Sequence, residues 1–361
     1  MLADRGHAVQ VFTRHNNEIE KQNPFLSALE TLWSLRSSRR LTQSIEAFRP
    51  DVIHAHNTFP LISPAIYWTA ARRGIPVIQT LHNFRLLCAQ AMFLRSGQVC
   101  EDCLSRLPWR GILRRCYRGS FPQSALLVAM LLLHRFMGSY QRKVTRYIAL
   151  NAFCRQKFID GGLPARRISV KPNFVDISPG PNRQREGFLF VGRLSPEKGI
   201  GTLARAAMKN PDAPFTIIGE GPCRREIQRV SNATLTGFQT IEAVHSAMQN
   251  AACLILPSIW YENFPRTLVE AFACGLPVIA SRCGALSELV QEGQTGLLFQ
   301  TGDSGDLARK IGWALKHPEA MQAMGRAARA EYEARYTSDI NYRQLMVIYA
   351  EAMNETRKCA T

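Results

Sequence analysis

Short apolar runs rich in β-branched residues alternate with stretches of helical periodicity along most of the chain. This alternation is typical of βαβ units, in which helices connect parallel strands. The predicted strands are His7–Thr13, Val52–His56, Val77–His82, Tyr147–Asn151, Gly187–Gly192, Phe215–Gly219, Ala251–Pro257, Pro277–Ser281 and Gly296–Phe299. The predicted helices include Gly201–Lys209, Thr267–Ala273, Leu307–Lys316 and a last helix, Asp339–Arg357. Two such series predict an α/β protein with two doubly wound domains.

The pattern weakens over Pro164–Pro181, which we interpret as the linker between the domains. We therefore expect an N-terminal domain over residues 1–165, a C-terminal domain over 166–335 and a final helix over 336–361. The opening segment, Met1–His7, is typical of a helix end capped by Gly6. The first strand of the first domain, and the glycine-containing loop after it, are therefore expected to be missing.

Composition narrows the classes of protein. The 361 residues suit two domains, and 46% hydrophobic with 20% charged residues excludes a disordered chain. The longest apolar run, Ala125–Leu133, has nine residues, whereas a spanning helix needs about twenty. An integral membrane protein is excluded on this ground. Without a recognisable leader we expect a cytoplasmic protein, in which the ten cysteines are thiols or metal ligands.

Positive charge is concentrated in the first half. Residues 1–175 hold 25 lysines and arginines against 9 acidic residues, whereas residues 176–361 hold 20 against 19. This asymmetry predicts an anionic partner, and a solubilising surface is the alternative. Basic residues also flank the run Ala125–Leu133 on both sides, namely Arg110, Arg114, Arg115, Arg118, Arg135, Arg142, Lys143 and Arg146. The run is therefore either an element of an anionic membrane interface or a core helix with a basic edge.

The segment GFLFVGRLSPEKGIG, residues 187–201, carries two cations where a buried strand ends. The strand ends at Gly192, and Arg193 and Lys198 lie in the turn before the next helix. Because open α/β sheets bind ligands at the carboxyl ends of their strands, these side chains are candidates for a diphosphate site. A surface turn with two solvated cations is the alternative.

Two glutamates lie in the segment WYENFPRTLVEAFACGLPVIA, residues 260–280. Glu262 precedes a helix, and Glu270 lies among apolar residues inside it, where a buried carboxylate needs donors or a cation. Sugar and ribose hydroxyls are suitable donors, and the amides at Pro265–Thr267 are a candidate phosphate site. Alternatively, Glu270 pairs with a nearby arginine and Glu262 is only an N-terminal helix charge.

With these residues in view, the chain resembles the retaining GT-B glycosyltransferases of family 4. The matching segments are VGRLSPEKGI (191–200), IIGEGP (217–222), LTGF (235–238), the Glu262/Glu270 pair, EAFACGLPVIAS (270–281) and GALSELVQEGQTGLLF (284–299). In the first half LADRGHAV (2–9), PDVIHAH (50–56) and PVIQTLHN (76–83) also fit. The resemblance implies two Rossmann-like domains facing a central cleft, with the last helix crossing back to the first domain.

The resemblance also implies roles for individual residues. Arg193 and Lys198 would hold the donor diphosphate, and Glu270 would bind the ribose. The remaining implied donor contacts are Glu262 with the amides of Asn263 and Phe264 at the sugar, Gly219, Gly237 and Phe238 along the nucleotide, and Gly192 and Thr267 beside the phosphates. His82 matches a histidine near the transferred sugar, so the expected catalytic residues are His82, Glu262, Arg193 and Lys198. A structural role is the alternative for His82 and our expectation for His54 and His56.

The implied chemistry retains the anomeric configuration and uses no catalytic metal. No Asp-x-Asp motif occurs in the chain. Cations and a helix N-terminus can stabilise the leaving nucleoside diphosphate instead. The leaving phosphate would assist as the base during attack on the front face of the sugar.

Four cysteines show a spacing of their own. Cys88, Cys100, Cys103 and Cys116 form C-x11-C-x2-C-x12-C within an insertion-like stretch, residues 86–120. Four thiols can close a tetrahedral zinc site, which would help this stretch to fold and shape the acceptor site. Unrelated thiols and an iron–sulfur cluster are the alternatives.

The sequence thus predicts a glycosyltransferase of surface polysaccharide biosynthesis. It would move a sugar from a nucleoside-diphosphate sugar to a glycan or lipid-linked acceptor, in the cytoplasm or at the inner membrane face. A nucleotide-sugar 2-epimerase and a non-catalytic basic binding module are the alternatives. No nucleic-acid partner is expected, because no nucleic-acid motif accompanies the basic residues.

Overall fold

The computed structural model describes residues 1–15, 17–20, 23–178 and 185–358. These form two compact units. The first contains Met1–Phe93, Glu101–Lys171 and Tyr342–Thr361, and the second contains Leu94–Cys100 and Pro172–Asn341. The end of the predicted linker, Pro179–Pro181, lies outside the described residues, as do residues 359–361 of the predicted final helix.

A parallel sheet of the order β1-β2-β5-β6 forms the centre of the first unit. The first six strands of the chain are β1 Ile53–Ala55, β2 Val77–Thr80, β3 Leu94–Arg95, β4 Gln98–Val99, β5 Arg146–Ala149 and β6 Ile168–Val170. Strands β3 and β4 form a separate antiparallel hairpin. The helices of this part are α1 Asn17–Glu20, α2 Pro24–Leu32, α3 Leu35–Phe48, α4 Ala65–Ala71, α5 Arg110–Leu113, α6 Phe121–Phe136, α7 Ser139–Arg142 and α8 Ala152–Asp160.

Side-chain caps begin several of these helices. The side chains of Ser34, Ser120 and Asn151 accept hydrogen bonds from first-turn amides of α3, α6 and α8. Such caps satisfy amides that have no acceptor inside the helix.

The apolar run within α6 forms core. Helix α6 buries Leu127, Val128, Met130 and Leu131, which pack with Ala89 in one cluster. The interpretation of Ala125–Leu133 as a core helix is therefore confirmed.

One expectation for the first unit is wrong, and the predicted linker contains an unexpected strand. Residues His7–Thr13 form no strand, and Val9 and Val11 are 49% and 77% exposed. Their alternation of apolar and polar residues suits a strand, but a strand also needs a neighbouring strand for its amides and carbonyls, and the described sheet offers none there. The predicted linker also contains a strand, because Ile168–Val170 pairs with β5 as β6. With three residues, β6 is too short to give a clear periodic signal.

The second unit has a larger parallel sheet. Its strands are β7 Phe188–Val191, β8 Phe215–Ile218, β9 Ala233–Gly237, β10 Cys253–Leu256, β11 Val278–Ser281 and β12 Gly296–Phe299. Their order is β12-β11-β10-β7-β8-β9, and each neighbouring pair is parallel. The chain moves from β7 to one side of the sheet and returns at β10 on the other side. A topological switch point therefore lies between β7 and β10, the place where doubly wound sheets bind ligands.

Helices cover this second sheet. They are α9 Ile200–Met208, α10 Arg224–Ile227, α11 Ile241–Asn250, α12 Arg266–Ala273, α13 Ala285–Leu289, α14 Ser304–Lys316 and α15 Pro318–Arg335. A buried cluster that includes Phe188, Phe215, Ile255, Leu307 and Ile311 fills the space between strands and helices. The predicted α/β class and parallel sheets are thus confirmed.

The last helix, α16 Ser338–Lys358, belongs to the first unit from Tyr342 onward. Its side chains Leu345, Ile348, Tyr349 and Ala352 pack against Ile78 of β2 and Ile148 of β5. Ion pairs from Arg146 to Glu351 and Glu355 fix the same helix near the start of β5.

Candidate active site

The loops after β7 and β10 lie against each other at the switch point. Gly199 adopts φ +72°, and a Cβ at this position would lie 1.8 Å from the carbonyl oxygen of Pro257. The amide of Ile259 donates a hydrogen bond to the carbonyl of Glu197 over 3.0 Å. Only glycine allows this approach of two backbones, which fixes the turn 195–199 beside the loop 257–263.

This packing brings Lys198 and Glu262 together. The Lys198 Nζ lies 2.5 Å from Glu262 Oε1 and 5.6 Å from the centre of the Trp260 ring. Ser258 Oγ and Trp260 Nε1 donate to the same carboxylate oxygen over 2.7 and 3.1 Å. Three donors thus hold Oε1 of a glutamate that is only 6% exposed. Its other oxygen, Oε2, has no hydrogen-bond partner among the described residues.

Arg193 lies beside this pair along the chain but remains open to solvent. It follows Gly192 at the end of β7, and its side chain is exposed. In the part of the chain that the structure describes, no carboxylate lies within ion-pair distance of its guanidinium. Arg193 therefore retains all its donors for an anionic ligand.

The glycine positions form the next part of the same sheet edge. The amide of Gly192 donates to the Ile218 carbonyl over 3.0 Å, and that of Gly219 donates to the Gly237 carbonyl over 2.8 Å. Gly219 adopts φ +140°, and a Cβ there would lie 1.9 Å from the Gly192 carbonyl oxygen. Backbone packing thus accounts for glycine at 219. Phe238, the next residue after β9, is 87% exposed.

The helix α12 carries the second glutamate. Glu270 is buried, and its Oε1 lies 2.7 Å from Nε of Arg266, whose side chain is exposed. The alternative in which Glu270 pairs with a nearby arginine is therefore observed, and a ribose contact stays a prediction. Asn263 is buried and Phe264 half-buried before the helix. No side chain caps α12 at Pro265, so its first amides, including that of Thr267, lie at an uncapped helix start.

The first unit carries a row of histidines at the carboxyl edge of its own sheet. His54 lies in β1, His56 just after it and His82 just after β2. The His54 and His56 rings stack with centroids 4.4 Å apart, and the His56 and His82 rings stack at 5.1 Å. His56 Nδ1 and His82 Nε2 lie 2.8 Å apart, within hydrogen-bond distance.

The inner histidine is anchored on both ring nitrogens. His54 Nδ1 lies 2.7 Å from the Tyr349 hydroxyl of α16, and its Nε2 lies 2.7 Å from the Thr80 hydroxyl. His54 is thus structural, as expected. His56, by contrast, contacts the candidate catalytic residue His82 directly, so the expectation that it is only structural is incomplete.

These imidazoles are neutral at ordinary pH. Desolvation, His56 and then Lys171 and His82 lower the pKa of His54 to about 3. Desolvation, then His56 and Lys171, lower the pKa of His82 to about 4, and desolvation and Lys171 lower that of His56. Lys171 follows β6, is buried, and has its own pKa lowered to about 8 by burial. Neutral rings can each donate and accept one hydrogen bond.

Sequence reasoning missed several residues of these two groups. They are Ser258, Trp260, Thr80, Lys171 and Tyr349. The stacking of His54 and His56 did have a signal in the sequence, because positions i and i+2 of a strand lie on one face. The other contacts come from distant parts of the chain.

The four-cysteine set is not assembled into a metal site. Cys88, Cys100, Cys103 and Cys116 are each partly exposed. Among the described residues, no three His, Cys, Asp or Glu side chains are grouped in a way that could hold a metal ion. The structure therefore gives no support for zinc at these four cysteines, and the zinc site stays a prediction.

The first unit also contains a cavity away from the histidines. A cavity of about 520 Å³, lined by Ile45, Glu46, Arg49, Pro50, Arg73 and Ile75, lies near the starts of β1 and β2, the edge opposite the histidines. It contains the Arg73–Glu46 ion pair. Within the described residues, no helix combines the length and apolar composition needed to cross a bilayer.

Two family models match the two halves of the chain. The family described as Glycosyltransferase Family 4 matches residues 1–179, and the family described as Glycosyl transferases group 1 matches residues 176–331. Sulfoquinovosyl transferase SQD2 of Arabidopsis thaliana is 24% identical over 310 residues, which cover 83% of this chain and 56% of that protein. The alpha-D-kanosaminyltransferase of Streptomyces kanamyceticus is 25% identical over 340 residues, 89% of this chain and 81% of that one.

A solved structure shares the fold. Anabaena Alr3699/HepE in complex with UDP superposes with a TM-score of 0.66 at 20% identity, covering 87% of this chain and 82% of that chain. At this identity the likeness concerns the architecture of the chain. The alignment to the plant transferase spans little more than half of that protein's length.

Proposed function

The chain belongs to the family 4 GT-B glycosyltransferases, and from that premise we propose that it moves a sugar from a nucleoside-diphosphate sugar to a glycan or lipid-linked acceptor. The transfer retains the anomeric configuration and serves the biosynthesis of a surface polysaccharide. The bound UDP of the structurally similar Anabaena protein supports a nucleotide donor. One observation carries the proposal, namely the contact between Lys198 and Glu262 at the switch point of the second sheet.

The donor diphosphate would replace Glu262 as the partner of Lys198. In the structure, Lys198 and Glu262 form an ion pair at 2.5 Å. A diphosphate beside the exposed Arg193 offers Lys198 a second anion, and the uncapped start of α12 offers amides to the same group. Glu262 would then turn its charge toward the sugar, where Oε2 accepts a hydrogen bond from a sugar hydroxyl.

In the proposed reaction, positively charged groups of the second unit stabilise the leaving group. The bond between the anomeric carbon and the diphosphate oxygen breaks, and a bond from the acceptor oxygen forms on the same face. The acceptor proton passes to the leaving phosphate oxygen, so no separate base is needed. Arg193, Lys198 and the α12 amides stabilise the negative charge that develops on the leaving group. His82, neutral at pH 7, holds a hydroxyl of the transferred sugar by a hydrogen bond.

The charge of the first half of the chain supports a proposal for the acceptor and the location. Residues 1–175 contain 25 basic and only 9 acidic residues. This excess of positive charge favours an anionic acceptor, such as a saccharide on a lipid diphosphate. We therefore propose that the protein works at the inner face of a membrane with anionic lipids. The helix α6 is core, so the contact must use other residues of the first unit.

A structural zinc ion remains a separate proposal. Metal analysis of anaerobically purified protein is expected to find about one zinc per chain if Cys88, Cys100, Cys103 and Cys116 bind it. Metal-free protein of normal stability would remove the zinc site and leave the transferase proposal unchanged.

A thermal-shift screen over nucleoside diphosphates and nucleotide sugars tests the main proposal. A cognate donor at about a hundred times its Kd should stabilise the fold by about 2.7 kcal/mol. Lys198→Ala should remove most of the shift given by the nucleoside diphosphate alone. Glu262→Gln should preserve that shift and remove the extra shift due to the sugar. Each change should lower turnover of the donor about 10²- to 10³-fold.

Two surface variants in the same unit serve as controls. Lys316→Ala and Glu319→Gln remove the same charges from exposed positions. Both should preserve the shifts and the turnover. Normal turnover in Lys198→Ala and Glu262→Gln would refute the proposed active site.

A further inference from the structure

A short stretch of the first unit exposes bulky apolar and basic side chains side by side. Leu107, Trp109 and Leu113 are 66%, 52% and 65% exposed. Arg106 precedes them in the sequence, Arg115 and Arg118 follow them, and all three arginines are also exposed. We call these six residues the 106–118 surface.

The apolar members of this surface are not misplaced core residues. Helix α5, Arg110–Leu113, buries Gly111 and half-buries Ile112 against the cluster of Leu127, Val128 and Leu131 from α6. Other side chains therefore already fill this part of the core, and Leu113 and Trp109 point away from it. Phe121, at the start of α6, is also 50% exposed and extends the apolar area.

The basic members keep their charge available. Asp102 pairs with Arg114 and lies 3.9 Å from Arg110, so the nearest acid is already engaged by two arginines. Glu101 pairs with Lys157. Among the described residues, no carboxylate lies within ion-pair distance of Arg106, Arg115 or Arg118.

We propose that the 106–118 surface docks the first unit on the anionic headgroup layer of a membrane. Trp and Leu side chains enter the boundary between headgroups and acyl chains, and arginines bind lipid phosphates above it. Charge complementarity selects a lipid layer over a second copy of this chain, because two such surfaces would bring like charges together. The inference rests on the proposed membrane-linked acceptor and identifies which residues make the contact.

Co-sedimentation of the full chain with lipid vesicles tests it. Vesicles containing about one third phosphatidylglycerol should bind the protein, and vesicles of phosphatidylcholine alone should bind it at least about tenfold more weakly. Raising NaCl from about 0.1 to about 0.5 M should weaken the binding to anionic vesicles. The triple variant Arg106→Glu, Arg115→Glu, Arg118→Glu should lose about a hundredfold in partition, since each arginine near the surface contributes about a factor of five.

A matched variant carries the same change of charge elsewhere in the first unit. Arg39, Arg40 and Arg49 are exposed on or just after α3. Their triple replacement by glutamate should weaken binding less than about fivefold. Trp109→Ala provides a variant without charge change and should weaken binding about tenfold or more.

Three outcomes would contradict the proposed docking surface. Equal binding to neutral and anionic vesicles, or equal loss in the two triple variants, would show that this surface is not an electrostatic dock. Self-association that Trp109→Ala abolishes, without vesicle binding, would assign the surface to a second copy. Thermal shifts with the donor should stay normal in the surface variants. A protein that binds vesicles but no donor would retain this surface and lose the proposed activity.

Discussion

The two units build their sites on parallel sheets in different ways. In the second unit, Lys198 and Glu262 meet because their loops follow the adjacent strands β7 and β10. In the first unit, the row of histidines on β1 and β2 is anchored by Tyr349, which comes from the last helix, 295 residues after His54. One site depends on neighbouring loops, and the other depends on a helix that joins the sheet from the far end of the chain.

This difference separates what local sequence can predict from what it cannot. Glycines, cations and acids of the second unit lie at fixed spacings within two short segments, so their pattern is visible along the chain. The histidines of the first unit are visible too, but their hydrogen-bond partners are not. The two halves of the chain also differ in net charge, because the excess of basic residues lies in residues 1–175. The Lys198–Glu262 pair thus belongs to the second unit, and most of the unbalanced positive charge lies in the first half of the chain.

We expect the largest effect from a substitution that disrupts the packing of the two loops in the second unit. Gly199→Ala places a Cβ against the Pro257 carbonyl oxygen in a left-handed backbone conformation. The left-handed conformation costs about 1–2 kcal/mol and the clash about 1–3 kcal/mol more. We expect the free energy of unfolding to fall by about 2–5 kcal/mol, measured by urea denaturation, and the donor-induced thermal shift to decrease as Lys198 and Glu262 separate.

Gly293→Ala is the matched control within the same unit. Gly293 adopts φ +74°, close to that of Gly199, but nothing lies within 4 Å of a Cβ there. In this variant the free energy of unfolding should fall only by the cost of the left-handed conformation, about 1–2 kcal/mol. The donor-induced thermal shift should stay unchanged. Equal losses in the two variants would mean that the approach to Pro257 does not hold the site together.

Most of the second unit was predictable from the chain. The bounds of strands β7, β8, β10 and β11 lie within two residues of the predicted ones, and those of β12 agree with the prediction at both ends. The turn with Arg193 and Lys198 and the loop with Glu262 were both placed at strand ends. Neither Trp260 nor Ser258 was identified as a donor to Glu262, since a hydrogen bond to one carboxylate oxygen has no periodic signature.

The first unit shows the opposite balance. A strand was predicted over His7–Thr13 from its alternation alone, and the pairing that a strand requires is not a property of the segment itself. The strand β6 was missed because three residues carry too little pattern. The basic excess was visible from composition, but its division between ion pairs, such as Arg114 with Asp102, and open arginines depends on the fold.

A smaller effect is expected in the first unit, where His56 contacts His82. If His56 positions His82, His56→Ala should lower kcat about tenfold while the KM for the donor and the donor-induced thermal shift stay unchanged. The pKa of His82 should rise, because one of the groups that lower it is removed while His54 and Lys171 remain nearby. NMR titration of the His82 ring measures this directly. In the pH profile of kcat, the limb for His82 protonation should lie near pH 4 in the unmodified chain and move to higher pH in the variant.

His317→Ala serves as the control for loss of an imidazole. His317 is exposed in the second unit, and its Nδ1 lies 2.8 Å from the carbonyl oxygen of Trp313. It should change neither kcat nor the titration of His82. A normal kcat and unchanged His82 titration in His56→Ala would show that the 2.8 Å contact has no function beyond packing. A raised pKa with normal kcat would instead mean that the pair is coupled but that His82 does not act in transfer, so the catalytic groups would all lie in the second unit.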